Sequence, residues 1–150
     1  MENAPLQTVR ANPELDVNGR TQNDLAAVIL PCTRCGQPVA TFTLFPAGSG
    51  KGMWRERDYL ERAGFMGDVL HFETWTILVE LMSAIQQRDY QAIRSATGPD
   101  LIAFHCWQCD ADYCQTCWRI GPPEFDEDFP GFYDCTRGVC PAGHTQVVDD

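Results

Sequence analysis

The stretch FHCWQCDADYCQTCW, residues 104–118, holds four cysteines arranged as two C-x2-C units. A third unit lies at Cys32 and Cys35, and Cys140 is followed by His144 near the C-terminal end of the sequence. Cysteines at such spacings form disulfides, act as redox pairs or bind a metal ion. The choice among these three chemistries decides what the sequence implies about function.

The rest of the sequence argues against disulfides and against redox chemistry. The N-terminus has neither the basic start nor the apolar stretch of a secretory signal peptide, and no run of about 18 apolar residues could span a membrane. We therefore expect a cytoplasmic location, where disulfides are rare. A redox role needs an accessible pair of low pKa beside a βαβ unit, and three clustered pairs do not fit that pattern.

Zinc binding is the chemistry that these spacings favour. A C-x2-C turn lets two thiolates reach one ion at about 2.3 Å, and four ligands complete a tetrahedron that leaves no place for water or substrate. Eight ligands predict two structural Zn²⁺ sites, with no catalytic residue among them. The predicted ligands are Cys32, Cys35, Cys106, Cys109, Cys114, Cys117, Cys140 and His144.

The spacing leaves the assignment of pairs to ions open. Four residues, DADY, separate Cys109 from Cys114, and in an extended chain they would cover about 13 Å. We therefore expect the pairs on either side of them to serve different ions. The favoured scheme is sequential and joins Cys32/Cys35 to Cys106/Cys109. The alternatives are a cross-brace, which joins Cys32/Cys35 to Cys114/Cys117, and a tight turn that brings all four cysteines of the stretch to one ion.

Residues 104–118 resemble the second half of an in-between-RING module. In that family C-x2-C, four residues and C-x2-C divide between two zinc ions, and an aromatic residue stands before each pair, as Phe104 and Tyr113 do here. More loosely, the chain is similar to RING-like modules of the zinc-ribbon or treble-clef type. The resemblance implies a zinc scaffold and binding to another protein.

Other features of the sequence depart from that family. The first pair is more closely spaced than the family's, the insertion after it is longer, and the last pair runs Cys then His. No separate RING flanks the stretch. The resemblance therefore does not carry over ubiquitin-transfer chemistry.

The remaining pattern predicts a single α+β domain with short antiparallel strands. Residues 1–25 are predicted to be a flexible tail, and residues 26–150 the zinc-binding domain, with an inserted strand–helix unit at about 46–100. Apolar residues from Trp75 to Ile85 follow a helical stripe that begins at a Thr74 N-cap, and Asp89 caps a second short helix. The predicted strands are Val28–Leu30, Val39–Phe45, DVLHFE and LIAFHC.

Three further groups of residues are assigned structural roles. Cys135, outside the pairs, is interpreted as a structural thiol, and a fallback ligand or a nucleophile are the alternatives. His105 and His71 are interpreted as satisfied histidines that bind no metal. The acidic EFDEDF segment lacks the spacing of a calcium loop. Most of the aromatic residues in and around it, including Phe129 and Phe132, are expected to cover the metal sites, and those that stay exposed would form a protein-binding patch.

The net charge of −10 disfavours nucleic acid, because that binding depends on lysine and arginine neutralising phosphates. The sequence therefore predicts a non-catalytic, cytoplasmic zinc module that binds another protein and neither nucleic acid nor membrane. The alternative is a RING-like adaptor or E3 component of a ubiquitin-like conjugation system. In that case apolar residues beside the first zinc loop would recruit a carrier enzyme.

Overall fold

The computed structural model describes residues 6–10, 24–50 and 52–150. Most of the predicted tail, residues 1–25, lies outside the described residues, but Leu6–Arg10 forms a strand, β1. This strand pairs with the backbone of the next one in antiparallel register. In the described part of the chain, every helix is too short or too polar to cross a bilayer.

The first half of the chain forms a five-stranded antiparallel sheet in which each strand pairs with its sequence neighbour. The strands predicted near Val28, Val39 and DVLHFE are confirmed. Gly52–Trp54 forms a short 3₁₀ turn between the third and fourth strands. The strands of the sheet are β1 (Leu6–Arg10), β2 (Asp24–Pro31), β3 (Pro38–Phe45), β4 (Tyr59–Gly64) and β5 (Val69–Phe72).

One face of this sheet forms the floor of the core. Val28 lies opposite Phe42 and Leu30 opposite Ala40 in the register of β2 and β3, and all four side chains are buried. The intervening Thr41 lies on the other face and is partly exposed. Alternate residues of a strand point to opposite faces, so Ala40, Phe42 and Leu44 share one face. Val39 and Thr43, on the face of Thr41, are buried as well.

The first helix packs on the sheet, as the helical stripe predicted, and the second helix packs against the first. Helix α1 (Trp75–Gln87) buries Leu78, Leu81, Met82 and Ile85. Thr74 occupies its N-cap position but makes no side-chain capping bond. Helix α2 (Tyr90–Thr97) begins at Asp89, whose carboxylate accepts a hydrogen bond from the Ala92 amide at 3.3 Å.

The C-terminal third consists of short strands that carry the cysteine pairs. The predicted strand LIAFHC is mostly wrong, because Asp100–Ile102 forms a 3₁₀ turn and only its last two residues pair as a strand. The two sheets here are a two-stranded hairpin and a three-stranded sheet with β9 in the centre. Their strands are β6 (His105–Cys106), β7 (Ala111–Asp112), β8 (Arg119–Phe125), β9 (Tyr133–Val139) and β10 (Thr145–Asp149).

A single cluster of buried residues connects the sheet, the helices and the cysteine pairs. Phe104, fully buried, lies at its centre, and its ring contacts those of Phe42, Phe65 and Tyr90 at centroid distances of 6.1, 6.0 and 6.3 Å. Residues 46–100, predicted as an insertion, therefore supply much of the hydrophobic core. The α+β class with antiparallel sheets and two helices is confirmed.

A buried arginine joins the sheet to the segment that leads into the cysteine hairpin. Arg62 of β4 is 2% exposed, and its guanidinium donates hydrogen bonds of 2.7 Å to the carbonyls of Asp100 and Phe65. Burial lowers the pKa of Arg62. Because Asp100 begins the 3₁₀ turn before β6, these bonds fix the hairpin against the sheet.

Candidate metal centres

The first centre, here called the four-cysteine cluster, consists of Cys32, Cys35, Cys114 and Cys117. The Cys32 and Cys117 sulfurs lie 3.7 Å apart, and those of Cys35 and Cys114 lie 3.5 Å apart. Cys32 follows β2 and Cys114 follows β7, so the end of the main sheet and the end of the hairpin meet at this cluster.

The second centre, here called the cysteine–histidine cluster, consists of Cys106, Cys109, Cys140 and His144. The Cys109 and Cys140 sulfurs are 3.7 Å apart. The imidazole presents Nδ1 to all three sulfurs, at 3.7 Å from Cys106, 3.2 Å from Cys109 and 3.4 Å from Cys140. The four donor atoms therefore surround a common centre.

These distances fit a tetrahedral metal ion and exclude disulfides. In a tetrahedron with zinc–sulfur bonds of about 2.3 Å, neighbouring sulfurs lie about 3.8 Å apart, and a sulfur and a nitrogen about 3.5 Å apart. A disulfide would bring two sulfurs to about 2.05 Å, and all eight cysteines, each within the described residues, are free thiols. The two clusters are thus geometrically able to hold two metal ions.

Local turns bring the members of each pair to one point. In the first pair, the Gly36 amide donates to the Cys32 carbonyl at 2.9 Å, and Gly36 has a φ of +75°, which glycine adopts without strain. In the cysteine–histidine cluster, the amides of Cys109 and His144 donate to the sulfurs of Cys106 and Cys140, each at 3.4 Å. Such N–H groups stabilise the negative charge of thiolates that bind a metal.

The structure places all eight predicted ligand residues in these two clusters, but the favoured sequential pairing is wrong. Cys32/Cys35 lie with Cys114/Cys117, and Cys106/Cys109 lie with Cys140 and His144. This is the cross-brace. The reason is the β6–β7 hairpin, which directs its two cysteine pairs to different sides and places the second pair beside the end of β2.

The expectation that DADY separates the two pairs is confirmed, although the segment is not fully extended. Asp110 has a φ of +52°, and the chain then returns with Ala111 opposite Cys106 in the hairpin register. The Thr33 amide donates to the Asp112 carbonyl at 2.8 Å, which holds the returning strand against the first cysteine loop. The turn thus distributes the pairs between two centres instead of merging them.

In each cluster the pKa of one thiol is lowered and that of another is raised, so the thiols oppose one another's complete ionisation. Burial alone would raise the pKa of Cys114, but hydrogen bonds from the Thr116 hydroxyl and the Cys117 amide outweigh burial and lower that pKa to about 6. Burial and the neighbouring sulfurs raise the pKa of Cys117 to about 12. In the cysteine–histidine cluster, burial is the main cause that raises the pKa of Cys106 to about 11. A divalent cation among the sulfurs would remove this opposition and hold the ligands as thiolates.

A buried polar network, which the sequence did not reveal, lies between the two clusters. Asp112, nearly buried, accepts a hydrogen bond from the Tyr90 hydroxyl and lies 2.8 Å from Nδ1 of His105. The other imidazole nitrogen lies 3.3 Å from a carboxylate oxygen of Asp110. The Gln146 side chain donates to the His105 carbonyl at 2.7 Å. Helix α2, the hairpin and β10 therefore meet at one histidine, which is a satisfied core residue as expected.

The other residues singled out in the sequence lie away from both centres. Cys135 is a buried thiol on β9, and it donates a weak hydrogen bond to a carboxylate oxygen of Glu124 at 3.9 Å. His71 lies on the edge strand β5. The EFDEDF segment forms the end of β8 and the loop after it, where Phe125, Phe129 and Phe132 are exposed.

Comparison with known proteins identifies a family. Residues 21–150 match the family described as Domain of unknown function (DUF8328), and the chain belongs to it. The matched segment includes all eight residues of the two clusters. No curated protein and no solved structure matches the chain. The function argued below therefore depends on the geometry of this chain's own residues.

The pairing predicts how double substitutions change metal content. Replacing Cys35 and Cys117 by serine damages one cluster only, so we expect the protein to retain one zinc per chain. Replacing Cys35 and Cys109 damages both clusters and should remove both ions. Native mass spectrometry counts the ions.

Sequential pairing would reverse these two results, because Cys35 and Cys109 would then share an ion. Where a double variant fails to fold, a cadmium–proton correlation spectrum of the wild-type protein gives the same answer. The β-protons of Cys32, Cys35, Cys114 and Cys117 should all correlate with one cadmium signal. A correlation of Cys106 with that signal would contradict the pairing.

The buried network predicts different results at two tyrosines that both donate a hydrogen bond to an aspartate. Tyr90→Phe removes a buried bond to the Asp112 carboxylate and should lower the free energy of unfolding by about 1.5–3 kcal/mol. Tyr133→Phe removes an exposed bond to Asp149 and should change it by less than about 0.5 kcal/mol. Urea denaturation of zinc-loaded protein measures both, and equal losses would contradict the structural role of the network.

Proposed function

We propose that this protein is a non-catalytic zinc-binding module that acts by binding another protein. The observation that carries the proposal is the pair of interleaved clusters, each with four protein ligands around one centre. Four protein ligands complete the coordination of Zn²⁺, so no position remains for a catalytic water or a substrate. Zinc bound in this way stabilises the fold.

The donor atoms support zinc as the bound metal. Seven of the eight donors are thiolate sulfurs and the eighth is an imidazole nitrogen. Soft sulfur donors in tetrahedral S4 or S3N arrangements select zinc over magnesium, calcium or manganese, which prefer oxygen. The exposed carboxylates of the chain therefore do not compete for the same ion.

The charge and the exposed apolar side chains of the molecule favour a protein as its partner. The net charge of −10 repels the phosphates of nucleic acids and of anionic membranes. Several large apolar side chains are nevertheless exposed, among them Met53, Phe129 and Phe132, which are 79%, 65% and 69% exposed. Exposed apolar groups beside charged residues are typical of surfaces that bind proteins.

Removal of the metal tests the structural role. The protein purified under reducing conditions should contain two equivalents of zinc per chain, because each site contributes apparent binding free energy on the order of 10–16 kcal/mol. Chelation should remove both ions and abolish the cooperative thermal unfolding transition measured by circular dichroism. Added zinc should restore that transition.

Cys135→Ala is the matched control, since Cys135 lies outside both clusters. This variant should keep both ions and unfold within a few degrees of the wild-type protein. Fewer than two equivalents of zinc in the wild-type protein, or an unchanged transition after complete chelation, would refute the structural-zinc proposal.

A second candidate is the RING-like adaptor of a ubiquitin-like conjugation system. One observation favours it: the loops of the two clusters lie side by side and form a groove of about 420 Å³, lined by residues that include Arg34, Arg119 and Pro141. The first cluster loop itself presents polar Thr33 and Arg34. A carrier enzyme would therefore contact charged residues together with the apolar Pro141 and Ala142.

A discharge assay tests this candidate. The protein should accelerate release of a ubiquitin-like protein from the thioester of its carrier enzyme, and Arg34→Glu should reduce that acceleration at least tenfold. Arg55→Glu, an equal charge change on a distant exposed side chain, should leave the rate unchanged. Absence of both binding and acceleration with the carrier enzymes tested would reject the adaptor role and leave the zinc scaffold unaffected.

A further inference from the structure

The hairpin formed by β8 and β9 ends in an exposed aromatic surface, here called the hairpin tip. Its members Phe125, Phe129, Phe132 and Tyr133 are 54%, 65%, 69% and 43% exposed. The rings of Phe129 and Phe132 contact each other edge to face at 6.2 Å. Burying aromatic side chains provides much of the binding energy at protein interfaces. Four exposed aromatic side chains on one hairpin are therefore typical of a surface that binds a protein.

The turn that carries the hairpin tip is built by its own hydrogen bonds. The Asp126 amide donates to the Phe132 carbonyl at 2.9 Å, which closes the loop. The Asp126 carboxylate accepts from the amides of Asp128 and Phe129 at 2.8 and 3.0 Å. The aromatic side chains therefore extend from an organised turn, and less conformational entropy is lost on binding.

Both metal clusters hold the base of this hairpin. Cys117 of the four-cysteine cluster stands two residues before β8, and Cys140 of the cysteine–histidine cluster directly follows β9. Arg119 and Val139, at the base, are partners in the strand register. The position of the tip relative to the core is thus set by one ligand from each cluster.

The charge around the hairpin tip has one sign. Residues 122–134 include five carboxylates and no lysine or arginine. Arg137, further down β9, lies 3.0 Å from one of these carboxylates, that of Glu124. The tip therefore combines apolar contact area with a local excess of negative charge.

We propose that the hairpin tip is the docking surface for a protein segment in which lysine or arginine residues flank an apolar side. This inference rests on the proposed function and deepens it, because it names the surface and the chemistry of the partner. Apolar groups of the partner would cover Phe129 and Phe132. Its basic groups would face Glu127 and Asp128, so the charges are complementary and speed association.

A second copy of the chain is the less favoured occupant. Its described surface does offer Arg55 and Arg57 near the exposed Met53. However, Glu56 lies between these arginines, and two copies that each carry a net charge of −10 repel each other over longer distances. A contact between two different surfaces would also leave each copy open to further addition.

Binding of a designed peptide to the full zinc-loaded chain tests the proposal. The probe is a fluorescent 16-residue amphipathic peptide made of lysine and leucine, and the reference is the same peptide with glutamate in place of lysine. We expect the lysine peptide to bind and the glutamate peptide to bind at least tenfold more weakly. Phe129→Ser with Phe132→Ser should weaken binding of the lysine peptide at least tenfold, measured by fluorescence anisotropy.

A matched pair of variants separates a local surface from general charge attraction. Glu127→Gln with Asp128→Asn should weaken binding and reduce its dependence on salt. Glu73→Gln with Glu80→Gln removes the same charge from exposed positions elsewhere and should have a clearly smaller effect. Ile77→Ser with Val79→Ser is the corresponding apolar control, since both side chains are about as exposed as Tyr133.

The outcomes are distinguishable from those of the zinc experiments, since every variant is first shown to hold two zinc ions. Equal weakening by tip and control variants, or no peptide binding by the wild-type protein, would overturn the proposed surface. Sedimentation that shows self-association lost in the phenylalanine variant would assign the tip to a second copy. Tip-dependent binding to vesicles of zwitterionic lipid would assign it to a membrane. Either of these last results would refute the basic partner.

Discussion

The structure depends on one constraint: a hairpin of two-residue strands supplies cysteine pairs to two different candidate metal centres. Cys106 and Cys109 enter one cluster and Cys114 and Cys117 the other, so neither centre closes without this hairpin. The remaining ligands come from the end of β2 and from the segment between β9 and β10. Each cluster is therefore built from parts of the chain that are distant in sequence. A short hairpin without these attachments would be marginal in water.

The metal centres and the hydrophobic core form one body. Cys32, Cys106, Cys114 and Cys140 belong to the same buried cluster as Phe42 and Phe104. The ring nitrogen of Trp118, directly after the last cysteine of the hairpin, donates to the Phe104 carbonyl at 3.1 Å. Loss of a ligand would thus expose apolar surface as well as break a metal site, and core packing in turn fixes the positions of the sulfurs.

Local patterns in the sequence were sufficient to predict the elements that depend only on residues close together in the chain. The Trp75–Ile85 stripe specifies α1, and a C-x2-C spacing places two sulfurs on one turn whatever lies around it. The pairing of clusters was not accessible, because it depends on a left-handed residue at Asp110 and on contact between Thr33 and Asp112, which are 79 residues apart. The Tyr90–Asp112–His105 network was missed for the same reason. No short-range pattern marks three polar residues that meet only after folding.

Under the proposed function, the aromatic hairpin tip is held in place by the two clusters. Ligand sets completed by protein atoms would have no position for a substrate, so their proposed role is to fix the elements attached to them. The β8–β9 hairpin is attached to both clusters, because the chain leaves one cluster at Cys117 and enters the other at Cys140. Loops on a rigid support are where proteins most often place binding residues. The three exposed phenylalanines lie at the far end of this hairpin, where the partner of the proposed function would reach them without any change in the core.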